Sequence, residues 1–213
     1  MSCAICEKRP AKRFCPAKGE KICAVCCGRE REVTIDCPSD CTYLIAARRY
    51  EAEHRQPLTS DEYPYRDVAV REEFVYERWP VISGIASAIL SFQAQHRELT
   101  DPEVVSAIKA MAETLRTLGT GIIYERPPDI PVARALYGQV GDFLQEFRKN
   151  EAARAGASPL KDSDAFLLLV FLLRVAKQES NGRSRSRAFL DFLRARFPLP
   201  AEAAQEAPRI ILP

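Results

Sequence analysis

The sequence predicts a mainly α-helical protein, in which a small N-terminal double-zinc module with two four-cysteine sites is followed by an all-α helical bundle. Three observations support this fold class. All eight cysteines of the 213-residue chain fall between Cys3 and Cys41. From about residue 66 onward, apolar residues recur at the three- and four-residue spacing of amphipathic helices. Outside the cysteine-rich stretch, little of the sequence has the alternating pattern of a strand.

Two cysteine pairs in the N-terminal stretch have the Cys-x2-Cys spacing, Cys3 with Cys6 and Cys23 with Cys26. This spacing lets a tight turn present two thiolates to one tetrahedral zinc ion. Eight thiols complete two four-cysteine shells, so the two histidines of the chain are not needed as ligands. The sequence therefore predicts two structural zinc ions, with the ligands Cys3, Cys6, Cys15, Cys23, Cys26, Cys27, Cys37 and Cys41.

The eight ligands are expected to divide between the ions in a crossed order along the chain. One ion takes the two Cys-x2-Cys pairs, and the other takes Cys15, Cys27, Cys37 and Cys41. The adjacent side chains of Cys26 and Cys27 diverge, so each can serve a different ion. Pro38 suits the first position of a helix, and this would place Cys37 and Cys41 on the same side of a first helical turn.

The run formed by the first Cys-x2-Cys pair, RFCPAKGEKICAVCC and a closing cysteine pair resembles the cross-braced zinc modules of the B-box and HIT-finger type. The resemblance covers about residues 1 to 45. It implies a protein-interaction module. It also implies a role for each matching position: Cys3 and Cys6 as the opening ligand pair, Cys15 as the middle ligand, Cys23 and Cys26 as the second pair, and Cys37 and Cys41 as the closing pair.

The cysteines have two other interpretations, a disulfide framework and a redox-active pair. A disulfide framework requires an oxidising compartment, but the N-terminal residues MSCAICEKRPAKR contain no apolar signal region. We therefore expect a cytoplasmic protein with reduced thiols. A redox-active Cys-x2-Cys pair would be expected beside a βαβ pattern, which we do not find in the sequence. A thiol redox sensor using Cys26 or Cys27 is kept as a further alternative.

Charge does not mark the zinc module as a nucleic-acid surface. Residues 1–50 carry ten Lys and Arg against six Asp and Glu, and eight thiolates with two zinc ions bring the module close to neutrality. Residues 51–213 carry 21 basic and 23 acidic side chains. A local basic stripe still has to be considered, and its arginines are Arg183, Arg185, Arg187, Arg194 and Arg196. We expect these arginines to be solvent-exposed side chains at the start of the last helix, with nucleic-acid binding as the alternative.

Composition divides the chain into four parts. Residues 1–55 form the zinc module with a C-terminal helix, residues 56–65 a polar linker with prolines, residues 66–200 the helical bundle, and residues 201–213 a proline-containing tail. No uninterrupted apolar run approaches the ~20 residues of a membrane span. We therefore expect no association with a membrane.

Sequence signals also place several helix ends in the bundle. Pro80 is expected to break or kink the first bundle helix. Thr100 or Asp101 is expected to cap the next helix, whose apolar stripe runs from Val104 to Leu118. Asp162 or Ser163 is expected to cap the apolar helix of residues 165–178, the best candidate for the centre of the bundle.

Signatures of catalysis are absent from the sequence. It contains no phosphate-binding glycine loop, no serine nucleophile elbow and no zinc-protease motif. We therefore predict a zinc-binding protein-interaction or regulatory adaptor that is not an enzyme and that binds a protein partner. Expected docking surfaces are an uncovered zinc knuckle around Ile22 and Val25 and the apolar residues Ile122, Ile123 and Tyr124. A connector that folds back onto the helices is favoured for the latter.

Overall fold

The structure is a computed structural model that describes residues 1–118, 125–153 and 159–197. In these ranges the chain forms one two-stranded hairpin and eight α-helices, so the prediction of a mainly helical protein is confirmed. The predicted loop at residues 122–124 and the predicted tail lie outside the described residues. None of the helices in the described ranges is long and apolar enough to cross a membrane.

The zinc module begins with a hairpin of two short antiparallel strands, β1 (Arg13–Cys15) and β2 (Glu20–Ile22). The turn between them ends at Gly19, whose φ of 67° lies in the left-handed region that glycine adopts without strain. Helix α1 (Ala24–Glu30) follows the second strand directly. The hairpin thus places Cys15 on one strand beside the helix that carries Cys26 and Cys27.

Helix α2 (Thr42–Glu53) starts later than the sequence predicted. The amide of Cys41 donates a hydrogen bond of 3.0 Å to the carbonyl of Pro38, which closes a turn before the helix. Cys41 is the extended N-cap residue, so Cys37 lies outside the helix. The prediction that Pro38 opens the helix is wrong: Pro38 is the first residue of this turn, where its fixed φ and missing amide donor are tolerated as well as at a helix start.

Six helices of the described ranges make up the bundle. They are α3 (Glu72–Glu77), α4 (Trp79–Gln95), α5 (Asp101–Leu118), α6 (Pro131–Ala152), α7 (Asp162–Glu179) and α8 (Ala188–Arg196). The chain breaks between α3 and α4 at Arg78, immediately before Trp79-Pro80, as predicted. A short 3-10 helix, Ser60–Glu62, lies in the segment that leads into the bundle.

The core of the bundle lies where α5 packs against α6 and α7, with α4 against α6. The apolar stripe of α5 faces inward, with Val104, Ile108 and Leu115 buried. Helix α7 is buried along most of its length, through residues such as Leu168, Leu169 and Leu172. Hydrophobic burial of these stripes stabilises the bundle, and a central position for α7 was expected from its composition.

Two predicted helix caps have different outcomes. The amide of Thr100 donates to the Glu103 carboxylate over 2.9 Å, so Thr100 caps α5 as predicted. Helix α7 has Lys161 as its N-cap residue, without a side-chain cap hydrogen bond. The prediction of Asp162 or Ser163 as the cap is therefore wrong. Asp162 instead lies in the first helical turn, where its negative charge stabilises the helix dipole.

The zinc module has a small apolar cluster of its own, formed by Ile22, Ile35 and the buried cysteines. The bundle has a separate and much larger cluster. Polar side chains link the two parts: Arg48 of α2 pairs with Glu32 inside the module and with Asp191 of α8. The predicted domain division, with its linker at residues 56–65, stays a prediction.

Candidate metal centre

Four cysteines of the zinc module come together in one group. The Sγ atoms of Cys3, Cys6, Cys23 and Cys26 all lie within 4.8 Å of one another. A tetrahedral zinc ion with Zn–S distances of about 2.3 Å requires sulfur atoms about 3.8 Å apart. The two Cys-x2-Cys pairs therefore meet at a site that could hold a metal ion, which is the first of the two predicted sets.

Tight backbone turns present each of these pairs. At the first pair, the amide of Glu7 donates to the carbonyl of Cys3 over 2.8 Å, and Glu7 has a φ of 55°. At the second pair, Cys23 is the N-cap residue of α1, and its Sγ accepts a hydrogen bond of 3.3 Å from the amide of Cys26. The two turns are joined, because the amide of Cys23 donates to the Sγ of Cys3 over 3.2 Å.

The environment favours thiolate at one end of the group. Burial opposes the charged form of Cys3, but hydrogen bonds from the backbone of Cys23, Cys6 and Ile5 bring its pKa down to about 6. The pKa of the Cys6 thiol is also lowered, mainly by a backbone hydrogen bond from Lys8.

Cys26 behaves in the opposite way. Burial, followed by hydrogen bonds with Cys23, Cys6 and Cys3, raises the pKa of the Cys26 thiol to about 12. Four thiolates cannot all be charged at this distance without a compensating cation. A divalent metal ion supplies that charge and deprotonates a coordinating thiol outright.

The donor set fits zinc in a structural role. Four sulfur ligands at tetrahedral spacing are typical of zinc, and such a shell leaves no open position for a substrate. Cys3, Cys23 and Cys26 are buried, which shields the site from exchange with solvent. All eight cysteines, each within the described residues, are free thiols.

The other four cysteines are near one another but do not form an equivalent group. They line one small cavity of about 10 Å³, whose apolar wall includes Ile22, Ile35 and Leu44. Within the described ranges, only the first set forms a cluster of metal-ligating side chains with all ligand atoms inside 4.8 Å. The predicted second shell, Cys15, Cys27, Cys37 and Cys41, is thus not closed. The late start of α2 explains part of the difference, since Cys37 is not on a helical turn with Cys41.

Positive and negative charges both lie beside this second set. A guanidinium nitrogen of Arg31, a buried residue, is 3.9 Å from the Sγ of Cys27. The pKa of the Cys37 thiol is raised, first by burial and then by the nearby charges of Cys41, Glu32 and Cys15. Cys37 therefore lies close enough to Cys15 and Cys41 to be affected by their charge.

Two of the five arginines in the basic stripe bond groups of the chain itself and are partly buried. Arg183 donates to the carbonyls of Gly28 and Arg31, at 3.4 and 2.8 Å. Arg187 donates to the carbonyl of Leu99 over 3.1 Å and also pairs with Asp36. The remaining arginines of the stripe, Arg185, Arg194 and Arg196, are exposed, although Arg194 also bonds Gln93 and Asp191.

The expected docking surface on the zinc knuckle changes in one respect. Ile22 is only 1% exposed, because it closes the apolar cluster of the module. Val25, three residues later, is 55% exposed. Phe14 has the same exposure, and it was not identified from the sequence, where a strand aromatic is expected to be buried. The prediction of Ile22 as part of an exposed docking surface is therefore wrong, whereas Val25 is exposed and could contact a partner.

No family model matches the chain, and neither a curated protein nor a solved structure matches it. Fold and site together define a mainly helical protein with a cysteine-rich N-terminal module and a four-cysteine group that could hold a metal ion. The likeness to B-box and HIT-type modules remains a likeness of cysteine spacing.

Proposed function

We propose that the protein is a zinc-binding interaction or regulatory adaptor of the cytoplasm, with structural zinc and no catalysis of its own. The observation that carries the proposal is the compact group of Cys3, Cys6, Cys23 and Cys26. A zinc ion in this shell would fix the turn at residues 3–6 and the N-terminus of α1 relative to each other. Because a four-thiolate shell is complete, its role would be to hold a surface in shape.

The proposal includes a second structural zinc ion, bound by Cys15, Cys27, Cys37 and Cys41. Support comes from the cavity that all four residues line, and from its apolar wall, which would exclude water from the ion. Movement of these four side chains toward one another would complete the shell, and the binding free energy of an ion to thiolates is large enough to drive it. Arg31 beside Cys27 would offset part of the negative charge of such a cluster.

A protein is the proposed partner, and the zinc module is the proposed contact surface. Phe14 and Val25 both have more than half of their surface exposed. Large apolar side chains held on a rigid module are typical anchors of protein interfaces. The nucleic-acid alternative has less support, because Arg183 and Arg187 already bond groups of this chain.

Metal content and co-purification test the proposal together. The native protein, isolated without chelators at about 150 mM salt, should carry about two zinc ions per chain. A protein partner should stay bound to the wild type after treatment with nuclease. It should be lost from the double variant Phe14→Asp and Val25→Asp. The matched control is Tyr76→Asp, which changes an exposed aromatic residue of the bundle. Metal-free folded protein would refute the zinc assignment, and a nucleic acid as the retained partner would refute the choice of partner.

A further inference from the structure

Two segments meet where the zinc module contacts the bundle. Residues 28–36 lie between Cys27 and Cys37, and residues 181–187 join α7 to α8. We call this contact the seam. At its centre, the amide of Arg185 donates a hydrogen bond of 2.8 Å to the carbonyl of Glu32. Five further hydrogen bonds cross the seam: two from Arg183 to the carbonyls of Gly28 and Arg31, and one each from Ser184 to the carbonyl of Val33, from Asn181 to the carboxylate of Glu32 and from Arg187 to the carboxylate of Asp36.

Glu32 is the most buried charged residue of the seam, with 1% of its surface exposed. One carboxylate oxygen accepts a hydrogen bond of 2.6 Å from Arg48 of α2, and the other accepts one of 2.7 Å from Asn181. The backbone of Glu32 has a φ of 52°, in the left-handed region that a non-glycine residue adopts at a cost. Such a conformation persists only where the surroundings hold it.

The proposed second zinc site holds the elements that supply these contacts. Cys27 and Cys37 flank residues 28–36 on either side, and Cys41 is the N-cap residue of α2, which carries Arg48. An ion shared by these three cysteines and Cys15 would tie both ends of the loop and the start of α2 to one point. Closing the loop in this way lowers its conformational entropy before the seam forms. The seam contacts then have a smaller entropy cost to offset.

We infer that the second zinc ion acts as a latch, so that its occupancy controls whether the zinc module is docked on the bundle. The inference rests on the proposed second site. With zinc bound, residues 28–36 keep the shape in which Glu32 reaches both Arg48 and Asn181. Without it, the loop relaxes, the left-handed backbone of Glu32 loses its support and the seam opens.

The coupling is reciprocal by thermodynamic necessity. If zinc at the second site raises the equilibrium constant for docking by some factor, then opening the seam must lower the zinc affinity of that site by the same factor. The first site is built from residues outside 28–36, so its affinity should stay the same. The bundle core is separate from the module, so its stability should also be retained.

The first test uses the full-length holo protein and the variant Cys37→Ser. Amide hydrogen exchange by NMR reports the seam through Arg185, the first zinc site through Cys3, and the bundle through Leu190, which donates to Asp101 over 3.1 Å. The variant should lose one zinc ion per chain, and exchange at Arg185 should accelerate by about fivefold or more. Protection of Cys3 and Leu190 should remain.

The second test opens the seam without changing a cysteine. Glu32→Lys places a positive charge beside Arg48, so Arg185 should lose protection, and competition with a chelator should show a second-site affinity that is lower by about fivefold or more. The matched control is Glu53→Lys, because Glu53 is an exposed acid of α2 that pairs with Arg49 and lies outside residues 28–36. The control should leave both measurements unchanged.

The outcomes separate the latch from the proposed function. If Cys37→Ser leaves the zinc content unchanged, the second site and the latch are both wrong. If the variant loses zinc but Arg185 keeps its protection, only the latch is wrong and the structural zinc stands. Loss of Arg185 protection in Glu32→Lys with an unchanged second-site affinity would also refute the latch.

Discussion

The guanidinium of Arg183 donates a hydrogen bond of 2.8 Å to the carbonyl of Arg31, which joins the most basic segment of the bundle to the backbone of the zinc module. Arg187 is used in a similar way, through the carbonyl of Leu99 and the carboxylate of Asp36. These two cations therefore satisfy acceptors of their own chain. Three arginines of the stripe are exposed, and only these are free to meet a phosphate without breaking the contact between module and bundle.

We accordingly expect weak, strongly salt-dependent binding to nucleic acid. Contacts from about three arginines give a slope of about −3 in a plot of log affinity against log salt, so affinity should be negligible near 150 mM, the physiological range. Fluorescence anisotropy with labelled DNA and RNA at several salt concentrations measures this slope. Submicromolar binding at about 150 mM salt that Arg185→Glu and Arg196→Glu abolish would contradict the expectation.

Removal of metal should affect the two parts of the chain differently. The zinc module has only a small apolar cluster, so a strong chelator should unfold residues 1–45. The bundle buries its own core and should retain its helical circular dichroism and a cooperative thermal transition. Zinc content, near-ultraviolet spectra and amide exchange, recorded before and after chelation, check both statements.

Cys23→Ser serves as the matched variant for chelation, since it removes one of the four sulfur ligands of the proposed first site, while serine keeps a side chain that can cap α1. It should reproduce the loss of structure in the module without any chelator. Collapse of the bundle upon metal removal would show that the two parts share their stability, against the separate clusters.

Local sequence patterns were sufficient to predict the four-cysteine group that could hold a metal ion, and most of the helices. The Cys-x2-Cys spacing identifies the first site because each pair is held by a turn of a few residues. Apolar periodicity identifies helices because burial of one face is a local property of the sequence. The start of α2 was misplaced because Pro38 suits a turn and a helix start equally well.

Long-range partners could not be predicted in the same way. Glu32 lies in the charged run REREVTID and reads as a solvated residue, yet its carboxylate bonds Asn181, 149 residues later in the chain. Thr100 or Asp101 was expected to cap α5; Thr100 does so, whereas Asp101 caps α8, which the sequence did not indicate. Nothing local distinguishes these acids from exposed ones, because their roles depend on which elements meet in the fold.

The packing of α4 on α6 provides a stability test that is independent of metal. A Cβ atom added at Gly84 of α4 would overlap Cζ of Phe143 on α6, whereas one added at Gly138 would meet nothing within 4 Å. Alanine gains the same helix propensity at both positions, so the comparison isolates the overlap. Gly84→Ala should be less stable than Gly138→Ala by about 1–3 kcal/mol in urea unfolding. Equal stability would mean that the Phe143 ring moves aside without cost.

Asp101 caps the N-terminus of α8 from the start of α5. Its carboxylate accepts hydrogen bonds from the amides of Phe189 and Leu190, at 3.0 and 3.1 Å, and from the hydroxyl of Ser186 at 2.7 Å. Asp101→Ala leaves these buried donors without an acceptor and should lower the free energy of unfolding by about 1–3 kcal/mol. Chemical denaturation measures the change, and Asp129→Ala, at an exposed aspartate outside the helices, is the control.

The same carboxylate should also make stability depend on pH. Burial raises the pKa of Asp101 above its ordinary value, although the Ser186 hydroxyl and the amides of Phe189 and Leu190 oppose the shift. A carboxyl with a higher pKa in the folded chain than in the unfolded chain binds its proton more tightly when folded. The contribution of Asp101 to the free energy of unfolding therefore decreases as pH rises from the ordinary value of about 3.9 through the raised pKa, and it is constant above that. Asp101→Asn cannot titrate, so the difference in stability between wild type and variant should shift in this window, and a pH-independent difference would refute the assignment.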